Sequence, residues 1–210
     1  YATSPSAVTI NLAAGTAIDG YNGPSGLLAL GGTDTLISIE NASGSDYGDS
    51  ITGNSGNNVL EGGAGGDTLD GGAGSDTVSY AGSSAGVTAY FTTLAGEGFG
   101  LGGHAQGDVY LGIENVIGSN YADVLVGVAG TANTLSGGGG DDIIYGEGID
   151  SINGGAGNDV LFGGQGGALG ATVSLLAIFL PGLLLVSGAL PFWRALGARV
   201  VPQHDPAARG

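Results

Sequence analysis

The chain has 210 residues, with 47 glycines, 6 prolines and no cysteine, and its 19 acidic residues against 3 basic ones give a formal net charge of −16. This length is enough for one or two small structural units, and the absence of cysteine excludes disulfide bonds and thiol chemistry. Residues 1–167 contain every acidic residue except Asp205 and no Lys or Arg. Such a surface repels nucleic-acid phosphates and attracts divalent cations, so we expect no nucleic-acid partner.

The first 43 residues contain no repeat but include two strand-like segments. Residues 7–12 alternate in the manner of a strand with one buried face, and residues 33–41 form a second apolar run that ends in Ile39-Glu40-Asn41. The sequence starts at Tyr1 with neither Met nor a signal peptide. We therefore expect a larger parent protein.

Residues 44–79 form a strict array of nine-residue units: GSDYGDSIT, GNSGNNVLE, GGAGGDTLD and GGAGSDTVS. Glycine opens each unit, an acidic or amide residue is sixth and an aliphatic residue is eighth. Clustered small residues followed by a short apolar run indicate a tight turn and a short strand, with the eighth side chain facing inward. The sixth residues are Asp49, Asn58, Asp67 and Asp76, and the eighth are Ile51, Leu60, Leu69 and Val78.

Two units make one coil of the predicted fold, so equivalent turns stack on the same side. This places Asp49 over Asp67 and Asn58 over Asp76. Two bare carboxylates at the strand spacing of roughly 4.8 Å repel by about 3.5 kcal/mol at an effective dielectric near 20. The stack therefore requires a cation, and oxygen ligands without cysteine and with little histidine favour Ca²⁺ over zinc or copper.

The units GGAGGDTLD, GGAGSDTVS and, later, GGAGNDVLF resemble the hemolysin-type nonapeptide of the repeats-in-toxin (RTX) family. The resemblance implies an all-β fold, a right-handed parallel β-roll (β-solenoid), with several Ca²⁺ ions bound between stacked turns. It also implies that sixth-position side chains and loop carbonyls are the ligands. The implied metal ligands are Asp49, Asn58, Gly62, Gly63, Gly65, Asp67, Gly71, Gly72, Gly74, Asp76, Asp123, Gly137, Gly138, Gly140, Asp142, Asp150, Gly154, Gly155, Gly157 and Asp159.

Residues 80–117 repeat the layout of the first 43 residues. Ile113-Glu114-Asn115 matches Ile39-Glu40-Asn41, and the same spacing separates Asp123 from Asp49. The sequence therefore predicts two tandem copies, 1–82 and 83–167, each with initial strands followed by a roll (44–79 and 118–162). Glu40 and Glu114 are interpreted either as ligands or as structural residues on a strand that precedes each roll.

The second array, residues 118–162, is less regular than the first. One unit, 127–136, is a residue longer than nine and another, 146–153, is a residue shorter. Such changes should displace a carbonyl ligand without breaking the strand ladder. We expect weaker or missing ions beside Asn133 and Asp150, and a solvated side chain at Asp141.

The C-terminal segment, 168–210, differs in composition from the rest of the chain. Residues 168–193 carry no charge and exceed the ~20 residues that span a bilayer as a helix, while Trp193 and Arg194 look like an interfacial end. We predict a hydrophobic α-helical tail with possible membrane association through residues 168–196. Over residues 168–199 the sequence is similar to one transmembrane stretch of the chromate transporter family.

The sequence contains no recognisable catalytic arrangement. His104 and His204 have no partner His or Cys, and no nucleophile and base are discernible, so we expect no enzyme activity. The predicted function is a calcium-binding module that folds on ion binding. The resemblance to the RTX family implies that this module serves secretion or adhesion in a secreted or cell-surface bacterial protein. The alternatives are a fragment or fusion of a membrane transporter, and the non-catalytic part of a secreted exoenzyme or toxin.

Overall fold

The computed structural model describes residues 1–19, 32–91 and 97–163, together with two short strands further along the chain. Within these residues the elements are strands, apart from one 3-10 helix at Gly103–Ala105. The strands are β1 Val8–Asn11, β2 Thr16–Asp19, β3 Thr33–Thr35, β4 Asn41–Ser43, β5 Ser50–Thr52, β6 Val59–Glu61, β7 Thr68–Asp70, β8 Thr77–Ser79, β9 Thr88–Tyr90, β10 Glu97–Leu101, β11 Val109–Leu111, β12 Asn115–Ile117, β13 Val124–Val126, β14 Thr134–Gly139, β15 Ile143–Tyr145, β16 Ser151–Ala156, β17 Val160–Phe162, β18 Thr172–Val173 and β19 Leu185–Val186.

The strands form two sheets. Sheet A has the order β19-β17-β15-β13-β9-β10-β11-β7-β5-β1-β2-β3, and sheet B has the order β18-β16-β14-β12-β8-β6-β4. Along each array successive units place their strands in alternate sheets, and neighbouring array strands within a sheet are parallel. This arrangement confirms the predicted parallel β-roll.

The strand register confirms the predicted stacking of turns. Ser50 pairs with Thr68 and Val59 pairs with Thr77. The residues that directly precede these strands are therefore also neighbours, so Asp49 stacks on Asp67 and Asn58 stacks on Asp76, as the nine-residue period predicted.

The interior of the roll is a ladder of single aliphatic side chains. The eighth residue of each unit in the first array is completely buried, and its two strand neighbours are exposed or half-buried. Each such side chain contributes roughly 1.5–3 kcal/mol of hydrophobic stabilisation. The second array continues the ladder with Leu125, Leu135, Ile144, Ile152 and Leu161.

Both sheets run without a break from the first array into the second. Strand β7 pairs with β11 and strand β8 pairs with β12, in both cases in parallel. Between β11 and β9 lies β10, which is antiparallel to both and was not predicted. The two copies therefore share continuous backbone hydrogen bonding.

The Ile-Glu-Asn segments differ from the prediction that places their glutamates on strands. The strands begin at Asn41 and Asn115, so Glu40 and Glu114 lie in the preceding turns. The asparagine Oδ1 atom accepts a ladder hydrogen bond from the next coil, from Val59 N at 2.9 Å and Thr134 N at 2.8 Å. A side-chain oxygen thus does the work of a backbone carbonyl at the strand edge.

The C-terminal segment is described only at four residues. Strand β18 pairs with β16 and strand β19 pairs with β17, so the helix predicted there is wrong at these four positions. The rest of the predicted helix, with the rest of the segment that is similar to a transporter, lies outside the described residues. Within the described part of the chain, no helix has the length and apolar character needed to cross a membrane.

Candidate metal centre

The sixth-position residues form two rows along the edges of the roll. Row A consists of the residues that directly precede sheet A strands, and row B of those that precede sheet B strands. Strand register adds two glutamates and one further aspartate that lie outside the nine-residue units. Row A is Asp49, Asp67, Asp108, Asp123, Asp142 and Asp159, and row B is Glu40, Asn58, Asp76, Glu114, Asn133 and Asp150.

One oxygen of the row carboxylates accepts a backbone hydrogen bond from the neighbouring turn. The N–H of Asp49 donates to Asp67 Oδ1 at 2.8 Å, and the N–H of Asp123 donates to Asp142 Oδ1 at 2.9 Å. In row B the N–H of Asn58 donates to Asp76 Oδ1 at 2.7 Å. Each such bond orients the carboxylate towards the turn next to it.

The second oxygen is buried and unpartnered in three units. Asp67, Asp76 and Asp142 are at most 1% exposed, and their Oδ2 atoms have no hydrogen-bond partner among the described residues. A buried polar atom without a partner costs about 1–3 kcal/mol, and more when it is charged. These three oxygens are therefore places where the fold needs a cation or a proton.

Two other aspartates are satisfied by serine. In the first unit of each array, Ser45 and Ser119 occupy the second position. The Ser45 hydroxyl donates to Asp49 at 2.9 Å and the Ser119 hydroxyl donates to Asp123 at 2.9 Å, while the serine N–H groups donate to the same carboxylates. The repeat pattern did not predict that the protein itself satisfies these two aspartates, although the serine at the second position of each unit is visible in the sequence.

The two amides are also satisfied by the protein. Asn58 accepts from Asn54 N at 2.8 Å, and its side-chain amide donates to Glu40 O at 2.7 Å. Asn133 accepts from Val128 N at 2.8 Å and donates to Glu114 O at 2.7 Å. Neither amide retains the unpartnered oxygen that would point to an ion.

The first glycine of a regular unit borders a gap lined by oxygen atoms. A Cβ on Gly137 would lie 2.1 Å from Asp142 Oδ2 and 2.4 Å from Gly154 O, and a Cβ on Gly44 would meet equivalent atoms at 2.2 and 2.4 Å. Next to Gly127 and Gly146, which open the irregular units, the three nearest atoms include no backbone carbonyl, and the same holds next to Gly62 and Gly154 in regular units. The displaced carbonyl expected in the irregular units therefore stays a prediction.

Backbone conformation explains the glycines at the second and fourth positions. Gly63 and Gly65 have φ of 103° and 129°, a region that favours glycine, and the same pattern recurs in the other Gly-Gly units. A Cβ on Gly63 would lie 1.9 Å from the carbonyl oxygen of Ser45. The turns therefore stack so closely that their carbonyls line the space between them.

Burial weakens the acidity of several carboxyls in the two rows. Burial, together with the charges of Asp108 and Asp49, raises the pKa of Asp67 to about 7. Burial and the neighbouring aspartates likewise raise the pKa of Asp142 to about 7, and burial raises the pKa values of Asp76, Asp123 and Asp150. A bound cation would reverse this effect, because it favours the ionised form.

At the junction between the arrays, a buried tyrosine donates a hydrogen bond to the aspartate of row A. Asp108 Oδ1 accepts from Asp67 N at 2.9 Å, and Asp108 Oδ2 accepts from the Tyr80 hydroxyl at 2.7 Å. The Tyr80 hydroxyl also contacts the Tyr110 hydroxyl, and burial raises the pKa of Asp108 to about 6. The repeat pattern did not predict this cluster of Asp108, Tyr80 and Tyr110, although Gly107-Asp108 resembles the end of a repeat turn.

The donor set fits a hard cation held by few side chains. Within residues 1–19, 32–91 and 97–163, no group of three or more His, Cys, Asp or Glu side chains converges on one point. The turns instead offer one or two carboxylates together with several backbone carbonyls. Such oxygen-only sets suit Ca²⁺, which takes six to eight oxygen ligands in flexible geometry.

Comparison with protein-family models identifies the two arrays. The model of the RTX calcium-binding nonapeptide repeat (4 copies) matches residues 43–78, 117–148 and 146–167. The arrays therefore belong to this family, a structural module whose repeats bind several Ca²⁺ ions. The comparison with curated proteins gave no match.

Proposed function

We propose that this chain, an RTX calcium-binding repeat protein, is a module whose folding is driven by Ca²⁺. The single observation that carries the proposal is the set of buried, unpartnered oxygens at Asp67, Asp76 and Asp142. No Lys or Arg occurs in residues 1–167 to neutralise them. Because the unfolded chain has no preformed site, the free energy of ion binding adds directly to the free energy of folding.

The proposed ligands fall into two groups. The primary sites use Asp67, Asp76 and Asp142 with carbonyls of the glycines that line the stacked turns. The predicted side-chain ligands Asp49, Asn58, Asp123 and Asp150 contribute less, because protein donors already bond to their oxygens. Asp159 accepts a backbone hydrogen bond at Oδ1, as Asp142 does, and stands at the end of the row. When bound, the ion supplies the positive charge between turns that the protein itself lacks.

We further propose a role outside the bacterial cytoplasm, as a non-catalytic secretion or adhesion module of a larger protein. Where Ca²⁺ is scarce, the repelling carboxylates keep the arrays unfolded, and where it is plentiful they fold. The acidic composition and the absence of cysteine support this proposal, because metal binding takes the place that disulfides hold in many secreted domains.

The adjacent residues Asp141 and Asp142 offer a matched test. Both substitutions to Asn remove one negative charge, but Asp141 is exposed whereas Asp142 is fully buried with an unpartnered oxygen. Asp142→Asn should weaken calcium binding by about tenfold or more, equivalent to about 1.4 kcal/mol, and Asp141→Asn should leave it near the unsubstituted value.

The measurement is a calorimetric calcium titration of the full chain, with β circular dichroism followed in parallel. The unsubstituted protein should gain β signal as Ca²⁺ is added to the ion-free form. A chain whose β signal does not change between chelator and excess Ca²⁺ would refute calcium-driven folding. Equal binding by the two variants would refute the assignment of Asp142 as a primary ligand.

A further inference from the structure

At the junction between the arrays, Glu114 occupies a sixth position in row B although it lies outside both nonapeptide arrays. Strand β12 pairs with β8 so that Asn115 opposes Thr77, which places Glu114 beside Asp76. The N–H of Asp76 donates to Glu114 Oε2 at 2.8 Å, the same bond that Asp49 makes to Asp67. A glutamate thus takes the place of a repeat aspartate in a segment that the family match does not cover.

An unpartnered oxygen of Asp76 lies beside the turn that contains Gly112 and Glu114. Asp76 is fully buried and its Oδ2 atom has no partner among the described residues. A Cβ on Gly71 would lie 2.7 Å from Asp76 Oδ2 and 2.3 Å from Gly112 O. Gly112 O therefore lies beside the carboxylate of Asp76 in the same way that Gly154 O lies beside the carboxylate of Asp142 in the second array.

Row A shows the opposite arrangement at the same junction. There the carboxylate that follows Asp67 is Asp108, and both of its oxygens already accept hydrogen bonds, from Asp67 N and the Tyr80 hydroxyl. In row B no phenol reaches Glu114, which is half-buried, within the described residues. At the junction, Tyr80 satisfies the carboxylate of Asp108 in row A, whereas the carboxylate of Asp76 in row B keeps an oxygen without a partner among the described residues.

We propose that Asp76, Glu114 and the carbonyl of Gly112 form a calcium site outside the nonapeptide motif, which fastens the second array to the first. The inference rests on the proposed calcium-dependent function and deepens it. Two carboxylates and a carbonyl provide a net charge of −2 and oxygen ligands alone, and solvent reaches the half-buried Glu114 to complete the shell. This is the chemistry that a hard divalent cation requires.

Glu40 provides a matched control, because it lies in the same Ile-Glu-Asn sequence and the same row. Its neighbour is the amide Asn58, which donates to Glu40 O, so no unpartnered carboxylate faces it. Glu114→Gln retains an acceptor for Asp76 N–H and should therefore fold, which the β circular dichroism signal in Ca²⁺ will verify. Glu114→Gln should bind one ion fewer, or bind that ion about tenfold more weakly, while Glu40→Gln should bind as the unsubstituted chain does.

Two measurements on the full chain decide the matter. The number of bound ions is obtained from equilibrium dialysis against Ca²⁺, and calcium-induced protection of residues 107–117 is obtained from hydrogen exchange. Reduced binding and reduced protection in Glu114→Gln, without either change in Glu40→Gln, would support the junction site. Equal values in the two variants would overturn it, even if the arrays bind calcium normally. An unsubstituted chain that binds no calcium would instead overturn the proposed function.

Discussion

In the first array every unit has nine residues, whereas the second array contains one longer and one shorter unit. The strand ladder and the turns accommodate these two irregular units differently. The strand ladders of the two arrays are equivalent, because Leu135 pairs with Ile152 in register across the irregular units. Their turns differ in packing, because a Cβ on Gly63 in the first array would lie 1.9 Å from Ser45 O, whereas Gly130 in the longer turn has no atom within 4 Å of its Cβ position.

The strand ladder and the metal site of a repeat differ in how well they tolerate a change in turn length. A ladder requires backbone hydrogen bonds and one inward aliphatic side chain, and both survive a change in turn length. A metal site requires several oxygen atoms to converge on one point, so a displacement of one carbonyl removes a ligand. The irregular turns preserve the fold, and the weaker or missing ions expected beside Asn133 and Asp150 stay a prediction.

The largest expected effect tests the equivalence of the ladders. Leu60 in the first array and Leu135 in the second are both completely buried. Replacing either by Ala should lower the free energy of unfolding by about 2–5 kcal/mol, because a cavity remains in the single-file core. Urea unfolding in Ca²⁺ measures this, with the exposed Ile37→Ala as control. A much smaller loss for Leu135→Ala would show that the second ladder is looser than the first.

A smaller effect tests the difference between the turns. Gly63 lies in a regular turn, where a Cβ would meet Ser45 O at 1.9 Å, while Gly130 in the longer turn has no atom within 4 Å of its Cβ position. Both have positive φ, of 103° and 80°, so alanine strains both. Gly63→Ala should cost about 1–3 kcal/mol more than Gly130→Ala, because only Gly63 adds a backbone collision. Thermal unfolding in Ca²⁺ compares them, and equal costs would contradict the close stacking of regular turns.

The smallest expected effect concerns pH in the absence of calcium. The pKa values of Asp67 and Asp142 are raised to about 7 in the folded chain, above those of an unfolded aspartate. A raised carboxyl pKa stabilises the folded state at low pH, and this contribution is lost as pH rises through the folded pKa. The ion-free chain should therefore gain β circular dichroism signal as pH falls from about 7 to about 4, the range between the folded pKa values and the ordinary pKa of aspartate.

A single substitution sharpens this prediction. Asp67→Asn removes one titrating group from the first array and should flatten the pH dependence relative to the unsubstituted chain. Ion-free protein that loses β signal on acidification over the same range would contradict the raised pKa values.

Part of the site could be predicted from the sequence because it depends on local spacing. The nine-residue period gives the turns, the inward positions of Leu60 and Leu69, and the stacking of Asp49 on Asp67. The displaced carbonyls expected from the irregular lengths of units 127–136 and 146–153 stay a prediction. Each of these follows from residues close together in the chain, whose geometry is fixed once a coil has a defined length.

The strand start at Asn115, which places Glu114 in a turn, could not be read from the Ile-Glu-Asn pattern. An apolar residue followed by two polar ones fits a strand as well as it fits the end of a turn. The role of Asn115 as a substitute carbonyl depends on Thr134 in the next coil. Pairing between coils, which the local pattern does not report, decided the matter.

The sequence by itself determined the period, the inward ladder and the acidic rows, because the spacing of side chains along an extended strand and a short turn leaves little freedom. The tertiary structure alone decided which carboxylate oxygens are satisfied from other coils: Tyr80 bonds to Asp108, while Asp67, Asp76 and Asp142 each retain a buried oxygen without a donor among the described residues. The reason is that hydrogen-bond satisfaction depends on which donors meet across coils, and those donors come from parts of the chain that the repeat period does not relate.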